Sequence, residues 1–352
     1  MKKKILVMFG GCNEEYYASC TSMANLLNEF DRTKYDILTL GITLEGDWIL
    51  TNASSEELID GKTWLSRDDN KRAIIPPIKG MQSLMLIEND KIEYIKIDAI
   101  LPFVPGAGGE DGALPGLFQL ADIPYVGAGI AASAGSWDKA VTRLYADYCG
   151  LKQPKCKILY KEMFNKCTAK LDYIKPDFAY PVFVKPASQG SSIGILRVDE
   201  DNELMAAVEN AFKYDEKVLI EEGIIGKELK VAAIGNGTPE LGEICEITVD
   251  GGVFNSFEMK YKTHSSVKKI PAEISNDLAN EVKRQAIAIF KALECRGWAR
   301  IDFFLNDKEE IYFNEINTIP SIGKHSIYSK MLEEVGISIP EVLTRLIESA
   351  FN

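Results

Sequence analysis

The feature that most constrains this chain is an apolar hairpin interrupted by charged residues, between positions 297 and 326. Its sequence is GWARIDFFLNDKEEIYFNEINTIPSIGKHS. Two apolar runs, 298–305 and 311–313, flank a polar Asn-Asp turn, and this pattern predicts a β-hairpin. Asp302 lies inside the first run. Because an unpaired carboxylate in an apolar strand is costly, Asp302 is expected to have a cation or a metal ion beside it.

The polar residues of this hairpin are predicted to share one face. Side chains alternate along a strand, so Glu315 and Asn317 point the same way, and a hairpin register can place Asp302 opposite them. Three oxygen donors suit Mg²⁺ and leave room for phosphate oxygens. Arg300, two residues before Asp302, adds a permanent cation. The alternative is that these are ordinary solvent-facing polar residues of an antiparallel sheet.

Composition and charge argue against several classes of function. A chain of 352 residues suits two or three domains, and its 46% hydrophobic and 26% charged residues are typical of a globular protein. A net charge of −12 argues against binding to nucleic acid or to an anionic membrane. No stretch approaches a membrane span, and the apolar run after MKKK is too short for a signal peptide. The seven cysteines form no CxxC pair, so we expect reduced thiols and a cytoplasmic location.

The order of elements predicts a mixed α/β and α+β protein. A strand at 4–9, a Gly-Gly turn and a helix at 19–30 open an α/β unit. A buried strand at 98–104 then leads into a glycine-dense loop, at the strand end where open α/β sheets bind ligands. We expect an N-terminal α/β domain at 1–133, a small central α+β domain at 134–223 and a C-terminal α+β domain at 224–352.

A phosphate-binding loop is predicted in the central domain. The segment 182–195 (VFVKPASQGSSIGI) has the pattern of a strand, a loop hinged by Gly190 and Gly194, and a second strand. It is not a P-loop, because GxxxxGK[ST] is absent. Lys139 and Lys185 add cations, so the loop and the predicted metal residues together suit phosphoryl transfer. No GxGxxG fingerprint follows the first strand, which argues against hydride transfer.

Six motifs resemble one family in their order and spacing, the D-alanine–D-alanine ligases of the ATP-grasp superfamily. They are GGCNEEYYASCTS at 10–22, PGAGGEDGALPGLFQLADIPYVG at 105–127, SWDK at 136–139, VKPASQGSSIGI at 184–195, ARIDFF at 299–304 and NEINTIPSIGKHS at 314–326. The resemblance implies a three-domain ATP-grasp architecture with a Rossmann-like N-terminal (pre-ATP-grasp) domain. It also implies a homodimer.

The resemblance implies roles for individual residues. ATP would be bound by Lys139, Lys185, Ser192, Glu221, Ile224 and Glu228. Two Mg²⁺ ions, replaceable by Mn²⁺, would be held by Asp302, Glu315 and Asn317. The catalytic residues would be Glu15, Ser191, Tyr261 and Arg300. The second amino acid would meet Lys260 and Ser326.

The implied reaction joins D-alanine to a second D-amino acid, D-Ala or D-Ser, for peptidoglycan precursors. The first carboxylate attacks the γ-phosphate of ATP, and the second substrate's amine displaces phosphate from the acyl phosphate. Glu15 would take the first ammonium group, and Arg300 would stabilise the acyl phosphate. Two alternatives stay open at this point: an ATP-grasp ligase with another amino or hydroxy acid, and an inactive nucleotide-binding homologue.

Four positions depart from the family pattern, and all of them surround the substrate sites. Pro105 replaces a loop histidine, Tyr17 a glutamate, Ser321 a glycine, and Lys324 a serine or threonine. One interpretation is drift without consequence, and the other is an altered donor or acceptor. Ser321 would add a side chain near the reacting carbonyl, and Lys324 would add a cation where the acceptor carboxylate docks.

Overall fold

Three β-sheets form the frame of the protein in the computed structural model, which describes residues 2–88, 91–249 and 266–352. The strands of the first sheet are β1 (Lys3–Gly10), β2 (Tyr35–Ile42), β3 (Trp48–Thr51), β4 (Lys71–Ile74), β5 (Ser83–Glu88), β6 (Lys91–Lys96) and β7 (Ala99–Phe103). They are ordered β6-β5-β4-β3-β2-β1-β7. Strands β2, β1 and β7 run parallel and the remaining pairs antiparallel. The predicted α/β opening is therefore present, extended by an antiparallel meander.

The second and third sheets are antiparallel. The second contains β8 (Cys156–Tyr160), β9 (Val182–Pro186), β10 (Leu196–Val198) and β11 (Lys217–Glu222), in the order β10-β9-β11-β8. The third contains β12 (Gly226–Ile234), β13 (Glu240–Leu241), β14 (Cys245–Val249), β15 (Ser266–Lys269), β16 (Trp298–Asn306) and β17 (Ile311–Asn317). Its order is β15-β14-β12-β16-β17, with β13 paired to β12.

Helices cover these sheets. In the described residues they are α1 (Tyr16–Leu26), α2 (Ser55–Leu58), α3 (Ala113–Ala121), α4 (Ile130–Trp137), α5 (Lys139–Tyr148), α6 (Lys161–Lys166), α7 (Lys170–Ile174), α8 (Asp201–Ala211), α9 (Asn276–Ala292), α10 (Ile327–Glu333) and α11 (Ile339–Ser349), with a 3₁₀ turn at Thr63–Ser66. None of them is both long and apolar enough to cross a membrane.

The predicted hairpin is present and is formed by β16 and β17. Asp302 pairs with Glu315, and Arg300 pairs with Asn317, with a bulge between Asp302 and Phe303. The segment 51–75 is polar and its sequence has no clear period, yet it contains α2, the 3₁₀ turn and β4. Its elements are only four residues long, too short for a period to emerge.

A continuous apolar core joins the first sheet to the third. Phe103 at the end of β7 packs edge-to-face on Trp298 at the start of β16, with ring centroids 5.1 Å apart. Trp298 also lies beside Tyr328 of α10. This shared core fixes the position of the first sheet relative to the third. The predicted domain boundaries remain predictions; the one between residues 133 and 134 lies within α4.

Candidate active site

A cavity of about 450 Å³ gathers residues from the second and third sheets and from the segments that follow β1 and β7 of the first sheet. Most predicted site residues line it: Glu15, Lys139, Lys185, Ser191, Ser192, Glu221, Ile224, Glu228, Arg300, Glu315, Asn317 and Ser326. Asp302 lies directly behind this lining and is 2% exposed. Lys260 and Tyr261 lie outside the described residues.

Strand register places the charged residues of the third sheet on one face. Lys230 of β12 is paired with Asp302 of β16, and Asp302 is paired with Glu315 of β17. Directly paired residues and residues two apart share a face. Glu228 and Arg300 therefore share the cavity-side face of the sheet with the residues just named, whereas Ile301 and Phe303 point into the core beneath.

Asp302 is held by two cations. Arg300 donates to it in a fork, from Nε to Oδ1 and from Nη2 to Oδ2, both at 2.8 Å. Lys230 Nζ donates to Oδ2 at 2.7 Å. Burial raises the pKa of Asp302, but Arg300 and Lys230 outweigh burial and hold this pKa below its usual value. The carboxylate is therefore charged at neutral pH.

The predicted metal residues form a partial oxygen site. In the described part of the chain, no three His, Cys, Asp or Glu side chains group to hold a metal ion. Asp302 and Glu315 supply two carboxylates, and Asn317 supplies an amide whose buried Nδ2 has no hydrogen-bond partner among the described residues. An amide can turn to present its oxygen instead. Two carboxylates and one amide fit Mg²⁺ that arrives with phosphate oxygens, since this ion is seldom held by protein alone.

Lys139 lies where the second sheet meets the third. It begins α5 behind the N-cap Asp138, whose side chain accepts hydrogen bonds from the N–H groups of Ala140 and Val141. Its Nζ donates to the carbonyl of Gln189 at 2.6 Å and lies 3.9 Å from Glu315 Oε2. Burial lowers the pKa of Lys139, against the attraction of Glu315. An anion entering here would restore the charge that burial penalises.

Lys185 is the second predicted phosphate-binding lysine. It lies on β9 and forms a buried ion pair with Glu221 of β11, whose Oε2 is 2.5 Å from Nζ. Arg143 of α5 approaches the other oxygen of Glu221 at 3.3 Å. The two cations balance the negative charge of Glu221, and they tie α5 to the second sheet.

The glycine-serine loop closes onto the first helix. Ser191 donates a hydrogen bond to Glu15, the residue before α1. Ser191 and Ser192 have φ of 51° and 60°, a left-handed conformation that is costly for residues other than glycine. Gly190 packs so close to Glu15 that a Cβ there would lie 3.2 Å from its carboxylate. Burial raises the pKa of Glu15, while Ser191 opposes this increase. The loop is thus tied to the start of α1 through Ser191 and Glu15.

Two buried residues of this region were not predicted. Glu110 accepts hydrogen bonds from the N–H of Gly106 at 2.9 Å, Thr318 at 3.0 Å and Ile319 at 2.9 Å. It thereby joins the glycine-dense loop after β7 to the chain after β17. In the sequence, Glu110 is part of the GEDG segment of the family resemblance, but no local pattern assigns it a role. Lys230 was the other omission, although its position two residues after Glu228 is a signal for a shared face.

Replacing Glu110 with Gln is expected to flatten the pH dependence of stability. Burial, reinforced by Glu15, raises the pKa of Glu110 from 4.5 to about 7. The folded protein therefore binds this proton more tightly than the unfolded chain, so the stabilisation is complete below pH 4.5 and is lost as pH rises through about 7. The wild-type loss amounts to ~3 kcal/mol. Calorimetry at pH 5 and pH 8 measures it.

The control for this experiment is Glu14→Gln, which changes an exposed carboxyl next to Glu15. It should keep the wild-type pH slope. Equal slopes in the wild type and in Glu110→Gln would contradict the prediction.

The departures from the family pattern fall into two groups. Pro105 and Ser321 line the cavity. The Lys324 side chain is 74% exposed and lies 4.0 Å from Glu29, and Tyr17 is an exposed ring packed edge-to-face on Tyr16. Lys324 is not among the residues that line the cavity. Pro105 and Ser321 stay candidates for substrate selection.

Two family models match this chain. The model described as D-ala D-ala ligase N-terminus matches residues 4–128, and that described as D-ala D-ala ligase C-terminus matches residues 146–348. Together they span both the glycine-dense loop of the first domain and the hairpin of the third sheet.

Individual relatives agree with these models. The D-alanine–D-alanine ligase of Caldicellulosiruptor bescii is 37% identical over 356 residues, covering 100% of this chain and 96% of the relative. The vancomycin/teicoplanin A-type resistance protein VanA of Enterococcus faecium is 35% identical over 353 residues, covering 99% and 98%. The solved VanG D-Ala:D-Ser ligase from Enterococcus faecalis has a TM-score of 0.89 at 33% identity, covering 99% and 100%. The chain belongs to the D-alanine–D-alanine ligase family of ATP-dependent ligases.

Proposed function

We propose that this protein joins D-alanine to a second D-amino acid, D-Ala or D-Ser, through an acyl phosphate, in the synthesis of peptidoglycan precursors. The observation that carries the proposal is the contact between Ser191 and Glu15. It closes the phosphate loop over a cavity whose other wall holds Arg300, Glu315 and Lys139. A closed cavity protects an acyl phosphate from water, and its cations stabilise the transferring phosphoryl group.

The nucleotide is proposed to lie along the second and third sheets. Lys139 and Lys185 bind its phosphates, and Ser192 donates from the closing loop. Glu221 and Ile224 border the adenine, and Glu228 accepts hydrogen bonds from the ribose hydroxyls. In support, all six residues line one continuous cavity.

The amino acids are proposed to lie between the closed loop and the third sheet. Glu15 binds the ammonium group of the first amino acid and, with Ser191 and Tyr261, links the loops over the site. Arg300 stabilises the acyl phosphate and the tetrahedral intermediate. Ser326, whose hydroxyl donates to the carbonyl of Ser321, and Lys260 bind the carboxylate of the second amino acid.

We propose that Asp302, Glu315 and Asn317 hold two Mg²⁺ ions, with Mn²⁺ as a substitute. When bound, the metal neutralises phosphate charge and so assists transfer of the γ-phosphoryl group. The chain's own contribution is to hold Asp302 charged through Arg300 and Lys230, and to place Glu315 within 4.0 Å of both Arg300 and Lys139.

The direct test measures phosphate release from ATP and Mg²⁺ with D- and L-amino acids, singly and in pairs, and identifies products by mass. Release only when D-Ala is present, with D-Ala–D-Ala or D-Ala–D-Ser as product, is the expected result. No turnover with any pair would contradict the ligation proposal. Turnover only in mixtures without D-Ala would instead favour a ligase with a different donor.

We further propose a homodimer in the cytoplasm. An exposed apolar surface supports the dimer: Ile87 pairs with Ile92, and Met85 pairs with both Tyr94 and Ile74, so these side chains share one face of the first sheet. Such surfaces commonly mark interfaces. Light scattering should give twice the mass of one chain, and Ile92→Lys should give a monomer. A monomeric wild type would contradict the dimer.

The cysteines support the proposed cytoplasmic location. The free state of all seven cysteines suits a reducing compartment.

A further inference from the structure

Lys230 is a buried cation to which the roles proposed above assign no part in binding the nucleotide. It is 7% exposed and lies on β12, two residues after Glu228. Its register partner on the neighbouring strand is Asp302. The lysine therefore lies between the carboxylate proposed for the ribose and a carboxylate proposed for the metal.

Both carboxylates contact the ammonium group. Nζ of Lys230 is 2.7 Å from Asp302 Oδ2 and 3.2 Å from Glu228 Oε2. Burying an ammonium group costs several kcal/mol unless well-placed partners compensate. Here two partners on adjacent strands do so, and Lys230 also lines the cavity. Both ion pairs of Lys230 lie at the cavity wall where the nucleotide is proposed to bind. Their position therefore favours a role in the nucleotide site over a purely structural one.

We propose that Lys230 is a positioning residue and a fixed cation of the nucleotide site, which holds Glu228 and Asp302 in place and balances charge that a divalent ion would otherwise balance. The inference rests on the proposed MgATP site. Asp302 already receives three hydrogen bonds, two from Arg300 and one from Lys230. Before ATP arrives, the site therefore offers little excess negative charge to a metal ion. The divalent ion binds tightly only when phosphate oxygens accompany it.

Lys230→Met removes the charge and keeps a side chain of similar length. Asp302 and Glu228 then lose a neutralising partner within about 3 Å, and the attraction for a divalent ion rises. We expect Mn²⁺ affinity of the nucleotide-free protein, measured by electron paramagnetic resonance, to increase about tenfold or more. We expect affinity for ATP in EDTA, measured by calorimetry, to fall about tenfold, because Glu228 loses its anchor.

Lys152→Met is the matched control. Lys152 also forms an ion pair, with Glu310 at 2.7 Å, but it is exposed. Neither affinity should change in it. Unchanged Mn²⁺ affinity in Lys230→Met would overturn the inference. A wild type that binds neither ATP nor Mn²⁺ with ATP would overturn the proposed function instead.

If Lys230→Met does not fold, the double variant Lys230→Met/Asp302→Asn decides the question, because it removes both charges. Recovered folding, with Mn²⁺ affinity no higher than in the wild type, supports charge balance as the role of Lys230. Failure of the double variant to fold would place the defect in packing and overturn the inference.

Discussion

Glu315→Gln is expected to abolish ATP-dependent phosphate release, by about a thousandfold or more, while the fold stays intact. Glu315 points from β17 into the cavity, opposite Asp302, with Lys139 at 3.9 Å and Arg300 at 4.0 Å. A carboxamide of the same shape keeps the packing but loses the charge that is proposed to hold Mg²⁺. Lys139 and Arg300 each also lose one of their anionic neighbours.

The measurement is steady-state phosphate release with saturating ATP, Mg²⁺ and D-alanine, together with a thermal melting curve. Glu310→Gln is the matched control, because Glu310 lies in the same hairpin, half-buried and paired with Lys152. It should keep wild-type turnover. Turnover near the wild-type rate in Glu315→Gln would refute the metal role of this residue.

Arg300→Lys should lower kcat by about 10²- to 10³-fold. The guanidinium donates two parallel hydrogen bonds to Asp302, each 2.8 Å long, and keeps its face toward the cavity. An ammonium group cannot reproduce this planar fork, so it cannot at once hold Asp302 and provide the proposed stabilisation of the acyl phosphate. The KM for ATP should change by only about threefold, because the proposed nucleotide contacts lie on other residues.

Separate determination of kcat and KM distinguishes this role from a general structural one. Arg284→Lys is the control: Arg284 lies on the exposed face of α9 and pairs with Glu281 at 2.6 Å. It should leave both constants unchanged. An Arg300→Lys variant with an unchanged kcat would contradict the proposed stabilisation of the acyl phosphate, whatever its KM.

Local patterns were enough to predict much of the site. Strand alternation placed Glu315 and Asn317 on one face, and the cost of burying Asp302 pointed to cations beside it; register pairs confirm both arguments. Arg300 was predicted to share that face and does. These successes have one physical reason: neighbours along a strand and across a hairpin are determined by short stretches of chain.

Contacts between distant segments were not predictable in this way. Glu110 meets Thr318 across 208 positions, and Ser191 meets Glu15 across 176. Lys230 reaches Asp302 only because β12 lies beside β16, and no local pattern specifies that neighbour. The position of Lys324, exposed and 4.0 Å from Glu29, is likewise a contact between distant segments.

The sequence by itself determined the mixed α/β and α+β class, the hairpin with its oxygen donors, the serine loop and the family resemblance, all of which follow from alternation, turn chemistry and motif order. Only the tertiary structure decided which carboxylates are neutralised and by which cations. The pKa of Glu110 depends on burial and on Glu15, and the charge balance at Asp302 depends on Lys230 of the neighbouring strand β12. Glu110 meets the chain after β17 because the first and third sheets share the apolar core around Phe103 and Trp298. Packing of whole sheets, and not local propensity, sets distances between segments so far apart in the chain.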